Sequence, residues 1–490
     1  MSSLPSGQKR PASEERDPSI SPPPLKRKLQ STISSQYTIL LLCLLGCSYT
    51  LFFTNTDLKT EDAVASFFTP ASQKPKDRTN WTERAPDTDT AATLLVAKYE
   101  PADIEQKPEL PSSRSKIAAF DLDSTLITSA SGKKHAEDPG DWKWWDNSVP
   151  EKLRKLYYEE GYRIIIFTNQ GGLTLHADPK AKGPKNAHMN RVGNFKQKCN
   201  AVLSRLDLPV TLYAATAKDI FRKPRIGMWR EMQDDLSAGD IDLEHSIFVG
   251  DAGGRTALLK GGAVVPKDFS CSDRNFAHNV GIRYQTPEEY FLGEHPRDFV
   301  REFDLVHHPF AEHESEPGRS GSMIFEKVNK KDIVLFCGPP GAGKSTFFWK
   351  HLKPLGYERV NQDTLKSKEK CFKTANEYLR AGKSVAIDNT NADAAIRSQW
   401  IDLAKRNCVP IRCVWFKTPL ALCEHNDTVR ALNSSMNPET RTSLPQIAFR
   451  GFSSRFKEPK EKEGFQDIVE LEFKFRGTKE EHDIWARYWL

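Results

Sequence analysis

The sequence predicts an α/β protein: two doubly wound parallel-sheet domains in series, behind a disordered N-terminal region. Three observations predict it. Short runs rich in Ile, Val and Phe, such as Arg163-Ile-Ile-Ile-Phe-Thr-Asn169, alternate with helix-like stretches such as 195–206. Two of the apolar runs lead into phosphate-handling motifs, Asp121-Leu-Asp-Ser-Thr125 and Gly338-Pro-Pro-Gly-Ala-Gly-Lys-Ser345. At 490 residues the chain has room for two or three domains, each with its own core.

Composition narrows the class. A charged fraction of 28% and a hydrophobic fraction of 38% describe a soluble globular chain. The net charge of +6 is a mild lean toward polyanions, too weak for a dedicated basic arm. Nine cysteines are scattered, with no CxxC pair and no Cys/His cluster at zinc spacing. That pattern argues for a reducing compartment and against a disulfide scaffold. No repeat of solenoid period is present.

Residues 1–112 read as a disordered, basic region. Pro, Ser and charge dominate 1–36, and 57–112 is linker-like. Lys9-Arg10 and Lys26-Arg27-Lys28 are spaced like a bipartite import signal, so the nucleus is the expected location. No charge occurs between Lys28 and Asp57, and the apolar run 37–53 is at the short limit for a membrane span. A secretory leader is disfavoured, because the run starts late and no small-residue cleavage site follows. Three readings stay open: a membrane anchor, an unstructured insert and a gene-model artefact. An anchor would carry free-thiol domains across the membrane, so membrane attachment is not expected. Glu61-Asp-Ala-Val64-Ala-Ser-Phe67-Phe68 is similar to a sliding-clamp docking peptide with Glu in place of the opening Gln. Phe67 and Phe68 are the candidate docking anchors.

The first folded domain is expected over 113–312. The run 117–123 is a buried strand, apolar until its carboxyl end, and 163–170, 210–215 and 246–251 repeat the pattern. In doubly wound sheets ligands lie beyond the carboxyl ends of the strands, where Asp121, Asp123, Thr168 and Asp251 all fall. Asp121 is placed to attack phosphorus and form an acyl-phosphate. Asp123 can protonate the leaving oxygen and then activate the hydrolytic water. Asp121, Asp123 and Asp251 are the candidate ligands of Mg2+, which lets a carboxylate approach an anionic phosphate. Thr168 offers a hydroxyl to phosphoryl oxygen, Lys223 a fixed positive charge for the transition state, and Arg222 a substrate contact. Asp141-Trp-Lys-Trp-Trp145 is either a base-stacking loop or a loop packed on the core by its indoles.

The second folded domain is expected over 325–490. The run 332–337 is a buried strand, the glycine loop follows at once, and a helix begins at Ser345, which is the context such a loop requires. Gly338, Gly341 and Gly343 let backbone N–H groups cradle the phosphates of ATP. Lys344 reaches the β/γ-phosphates, Ser345 ligates Mg2+, and Thr346 completes the nucleotide-binding set. Asp363, just after a short strand, is the candidate base for an acceptor hydroxyl. Asp388 ends another strand; it holds the metal's water or positions the acceptor, and is assigned here to substrate binding. The polar stretch running on from His425 toward Lys460 is read as a lid, with Arg430 as candidate phosphoryl clamp and Arg450 and Arg455 as alternatives.

The set of DxDxT, Thr168, Lys223 and Asp251, in this order, resembles the haloacid dehalogenase superfamily. Phe167-Thr-Asn-Gln-Gly-Gly172, Gly250-Asp-Ala-Gly-Gly-Arg255 and the run 268–277 are similar to the polynucleotide kinase 3′-phosphatase family. So are Val360-Asn-Gln-Asp-Thr-Leu365, Ile387-Asp-Asn-Thr-Asn391 and His425-Asn426. The resemblance implies a monomeric DNA repair enzyme that clears 3′-phosphates and uses ATP to phosphorylate 5′-hydroxyls at nicks, gaps and double-strand ends. RNA ends stay as the alternative, because contacts to a 2′-hydroxyl are not readable from sequence. By the same resemblance Asp273 supports the metal site; its other reading is an N-cap for the helix that follows. Two departures are visible. Ser124 stands where Gly is commoner in DxDxT, and residues 1–110 are too polar and Pro-rich for the forkhead-associated β-sandwich that opens animal members.

Overall fold

A computed structural model describes residues 78–101, 114–133, 138–176, 187–236, 241–310 and 325–490. The basic clusters, the apolar run 37–53 and the Phe67-Phe68 patch lie outside these residues.

The first domain is built on a seven-stranded sheet. Five strands run parallel: Ile117–Phe120 lies between Arg163–Asn169 and Ile247–Val249, flanked by Val210–Ala215 and Arg283–Gln285. Side chains alternate across a strand, so each face has its own core. Ala118 and Phe120 pack with helices Val149–Tyr158 and Ala187–Leu206 through Leu153, Val202 and Leu203. Ile117 and Ala119 face helices Gly227–Asp235 and Ser272–Val280 through Met228, Trp229 and Phe276. Trp142, Trp144 and Trp145 pack against the first of these cores, which favours the packing reading of that loop over base stacking.

Two further strands, Thr79–Arg84 and Leu94–Tyr99, extend the sheet antiparallel beyond Val210–Ala215. They correct the reading of 1–112 as disordered throughout and bring the first domain's start forward from 113. Leu94, Leu95, Val96 and Ala97 are all fully buried. The polar, Pro-bearing sequence on either side hid this short run. Arg84 ties the outer strand to helix Gly227–Asp235 through Glu231 and Asp235, both at 2.7 Å. The Tyr213 hydroxyl donates to the same Asp235 at 2.7 Å.

The second domain has a five-stranded, wholly parallel sheet in the order Tyr357–Val360, Ser384–Ile387, Ile333–Cys337, Ile411–Phe416, Ile468–Leu471. Every residue of the central Ile333–Cys337 strand is buried, as parallel sheets covered on both faces require. Helices Lys368–Arg380 and Ala394–Arg406 cover one face. Phe347, Phe348 and Cys423 cover the other.

The two domains share a small core in which Leu305, from the segment after the first sheet, packs with Leu422, Val429, Trp485 and Tyr488 of the second. His425 is fully buried beside it, and its Nε2 donates to the Trp485 carbonyl at 3.0 Å. Burial drives the His425 imidazole down to about 4 from an ordinary 6.5. Between those values the unfolded chain takes up a proton that the folded chain refuses, so stability falls as pH drops through that window. Replacing His425 with Gln should remove about 3 kcal/mol of this acid-induced loss. The measurement is the unfolding free energy at pH 7 and pH 4, whose difference should be smaller in the variant than in the parent.

Candidate active sites

The first site forms where the central strands end. Ile117–Phe120 runs out at Asp121, whose N–H donates to the Val249 carbonyl at 2.9 Å, so Asp121 and Asp251 emerge side by side. Lys223 enters from the loop after Val210–Ala215. Its Nζ stands 2.6 Å from Asp121 Oδ1 and 2.8 Å from Asp273 Oδ1, with the side chain 1% exposed. Asn169, the last residue of its strand, brackets the Lys223 backbone: its Oδ1 accepts the N–H at 2.9 Å and its Nδ2 donates to the carbonyl at 3.1 Å.

Asp121, Asp251 and Asp273 each present an oxygen within 4.8 Å of the others. One ammonium cannot balance three carboxylates. Burial, with the neighbouring acids, pushes Asp121 well above the carboxylate range and Asp251 up to about 7. Hard oxygen donors with excess negative charge suit a divalent cation of the Mg2+ class. These residues fit one, and it would neutralise phosphate charge there.

Asp123 departs from its expected place among the ligands. Its side chain is half exposed, accepts from Gln170 Nε2 at 2.7 Å and pairs with Lys198 at 3.2 Å. Asp273 takes the third place in the cluster instead. The cause is a tight turn after the strand: Ser124 adopts a left-handed φ of 62° and donates to the Ile127 carbonyl at 2.8 Å, which carries Asp123 to the site's mouth. Gln170 Nε2 also donates to Thr168 Oγ1 at 2.9 Å, joining Thr168 to Asp123. Asp273 is not a helix cap, since Cys271 holds that position and Asp273 Oδ2 accepts the Ala252 N–H at 3.1 Å. Arg222 lies part-buried beside Gly171, and its buried NH1 has no partner among the described residues. Gln170 was within reach of sequence reasoning, being the polar residue next to a strand end. Lys198 carries no signal that separates it from the other lysines of a surface helix.

The second site is the 338–345 loop. Gly341 has φ +78°, and a Cβ there would collide with the Cys423 carbonyl, so glycine is required. Asn426 Nδ2 donates to the Gly341 carbonyl at 3.0 Å and is itself held by Trp485 Nε1 at 2.7 Å. Buried Lys344 donates to the Gly338 and Pro339 carbonyls at 3.1 and 2.5 Å and pairs with no carboxylate among the described residues. Burial lowers its pKa, and anionic phosphate is the partner its charge lacks.

Ser345 Oγ donates to Asp388 Oδ2 at 2.8 Å. Arg359 spans both, 2.6 Å from Asp388 and 2.9 Å from Ser345 Oγ. Asp388 therefore lies against the end of the phosphate loop. Its strand lies directly beside Ile333–Cys337, so the residue after it lands next to the end of the loop. Ser345 and Asp388 are the oxygen donors that fit a nucleotide-bound Mg2+ here. Thr346 is exposed in the first turn after the loop.

Asp363 is 76% exposed and stands 3.5 Å from Arg441. It is not a cap, because Asn361 caps its short helix. Arg430 pairs with Asp427 on its own helix, and Asp427 also accepts the Leu444 N–H at 2.7 Å, which fastens the segment that follows the helix. Arg450 and Arg455 are exposed and bond within helix Gln446–Arg455. Sequence reasoning missed Arg359 and Arg441. Arg359 meets Glu439 across 80 residues and Arg441 reaches Asp363 from a distant segment, contacts that no local pattern announces.

Residues 116–291 match the family model described as polynucleotide kinase 3 phosphatase, and 333–459 match an AAA domain. The chain is 37% identical over 436 residues to the bifunctional polynucleotide phosphatase/kinase of Schizosaccharomyces pombe, covering 88% of this chain and 97% of that one. The chain belongs to the bifunctional polynucleotide phosphatase/kinase family. An Acanthamoeba polyphaga mimivirus protein described as a putative bifunctional polynucleotide phosphatase/kinase is 32% identical over 79% of this chain and 91% of its own. A polynucleotide 3′-phosphatase of Arabidopsis thaliana is 32% identical over 36% of this chain and 24% of its own. As a family member the chain is an enzyme with a phosphatase domain and a kinase domain, the latter a nucleotide-binding P-loop fold.

Gly250 tests the packing of the first site. A Cβ there would overlap the Asp273 carboxylate. Gly250→Ala should displace Asp273 from Lys223 and cut phosphatase kcat about tenfold or more, while kinase turnover, assayed on the same preparation, stays unchanged.

Proposed function

We propose that this enzyme heals DNA strand breaks, removing 3′-phosphate through an aspartyl-phosphate and phosphorylating 5′-hydroxyl ends with ATP. The observation that carries this reading is the pairing of two complete phosphate sites in one member of an end-processing family. One is built to take phosphate onto a carboxylate and the other to hold a nucleotide's phosphates.

At the first site an Asp121 oxygen attacks phosphorus, and the bond from phosphorus to the 3′ oxygen breaks. Asp123, at the mouth and outside the carboxylate cluster, gives its proton to that oxygen. It then takes a proton from water, which attacks the acyl-phosphate, releases inorganic phosphate and restores Asp121. Lys223 stabilises charge on the equatorial oxygens, and its burial between two carboxylates keeps it protonated: burial alone would lower its pKa, but Asp121 and Asp273 outweigh it. Thr168 donates to a phosphoryl oxygen. Arg222, with its unpartnered NH1, contacts the nucleic-acid backbone. Asp121, Asp251 and Asp273 would hold Mg2+.

At the second site the loop's N–H groups and Lys344 hold ATP, and Ser345 with Asp388 would hold its Mg2+. Asp363, exposed toward solvent, accepts the proton of the 5′-hydroxyl. Arg430 steadies the transferred group once it parts from Asp427. The basic clusters at Lys9-Arg10 and 26–28 support a nuclear location, and Phe67 with Phe68 supports docking to a sliding clamp or another repair protein.

Asp121→Asn should abolish release of 3′-phosphate and leave 5′ phosphorylation intact. Lys344→Ala should do the reverse, costing about 3 kcal/mol of transition-state stabilisation. The substrate is a nicked duplex with 3′-phosphate and 5′-hydroxyl ends, with and without ATP, run beside an RNA equivalent. Loss of both activities in either variant contradicts the two-site reading, and preference for the RNA contradicts the DNA assignment.

A further inference from the structure

The loop that carries Lys223 is held at three consecutive residues. Asn169 brackets Lys223 from within the phosphatase sheet. Pro224 and Arg225 are held from elsewhere. The Pro224 carbonyl accepts from Asn279 Nδ2 at 2.9 Å, and Arg225 Nε donates to the carbonyl of Trp489, the penultimate residue of the chain, at 3.1 Å.

Asn279 also grips the chain end. Its Nδ2 donates to the Tyr488 carbonyl at 2.7 Å and its Oδ1 accepts the Tyr488 N–H at 2.8 Å. Tyr488 is buried, with its ring beside His278 at 5.2 Å and under the Arg301 guanidinium at 4.7 Å. Asn279 lies in the last turn of helix Ser272–Val280, whose first turn carries Asp273 to Lys223 Nζ. One helix therefore touches the kinase domain's last residues at one end and the phosphatase's buried ion cluster at the other. Among the described residues the Arg225 guanidinium has only carbonyls as hydrogen-bond partners, those of Trp489 and Asp219. A part-buried guanidinium that loses one of two acceptors is costly to keep in place.

We propose that Tyr488 and Trp489 of the kinase domain are a working part of the phosphatase, positioning the Lys223 loop through Asn279 and Arg225. Asn279 is a positioning residue: it touches neither phosphate nor metal ligand, and it fixes the backbone one residue from the catalytic lysine. The inference rests on the assignment of Lys223 to the phosphatase transition state. A displacement of the order of 1 Å at a catalytic group can cost up to about a hundredfold in rate.

The test uses the full chain with Asn279→Ala, a chain ending at Arg487, and the two changes combined. Phosphatase kcat and KM are measured on a 3′-phosphorylated oligonucleotide, with kinase turnover and melting temperature on the same samples. Asn279→Ala is expected to lower phosphatase kcat about tenfold with KM and kinase turnover within about twofold. The combined variant is expected to be no worse than the poorer single one, because both changes act through one contact. Phosphatase kcat within twofold of the parent in Asn279→Ala overturns the proposal. So does a fall matched by kinase turnover and melting temperature, and so do losses that multiply in the combination. Lys223→Ala run alongside separates the two claims. If it keeps phosphatase activity, the site assignment fails; if it is inactive while Asn279→Ala is normal, only the positioning role fails.

Discussion

An ammonium buried between carboxylates is the constraint around which the phosphatase domain is arranged. Lys223 cannot stay charged at 1% exposure without Asp121 and Asp273 against it. Those carboxylates, with Asp251, cannot share one small volume without positive charge among them. Each partner comes from a different element: the central strand, the loop after its second neighbour and a helix far along the chain. The ion cluster thus selects one register of sheet and helices. The Asn169 bracket, the Ala252 N–H on Asp273 and the glycine at 250 all serve to keep it closed.

The kinase site is arranged on the opposite principle. Its charges are parked on neighbours that a nucleotide can replace. Lys344 lies on two carbonyls of its own loop, while Arg359 bridges Asp388 and Ser345. Carbonyls are weak partners for an ammonium compared with phosphate, so exchange is favourable. The difference follows from the chemistry. On the mechanism proposed above, a carboxylate nucleophile must be poised in place, whereas a loop that binds and releases a nucleotide each cycle must not be locked.

Much of this was legible because parallel strands leave a clear signal. The apolar runs ending in Asp121, Thr168, Asp251 and Asp388 were read close to their observed bounds, and the topology then placed those ends together. What was not legible came from contacts across long separations. Asp273 rather than Asp123 joins the carboxylate cluster because of a turn at Ser124 and a helix orientation, neither of which spacing encodes. Arg359 reaches Glu439 across 80 residues, and Asp388 meets Ser345 because its strand adjoins the central one. Strand Leu94–Tyr99 was overlooked for a different reason: four buried apolar residues are a weak pattern inside a polar surrounding.

That strand has a consequence for biosynthesis. Leu94 through Tyr99 pair with Ala215 back through Val210, so their partner strand is translated more than 100 residues later. At about 5–20 residues per second, the ribosome needs roughly 6–25 s to supply it. Throughout that interval Leu94-Leu95-Val96 can pair with Thr79–Arg84 on one edge but lacks the partner of its other edge. The sheet's first two strands are made well before the strand that joins them to the rest of the sheet. A chaperone acting on the emerging chain has a defined stretch to shield and a defined moment to let go.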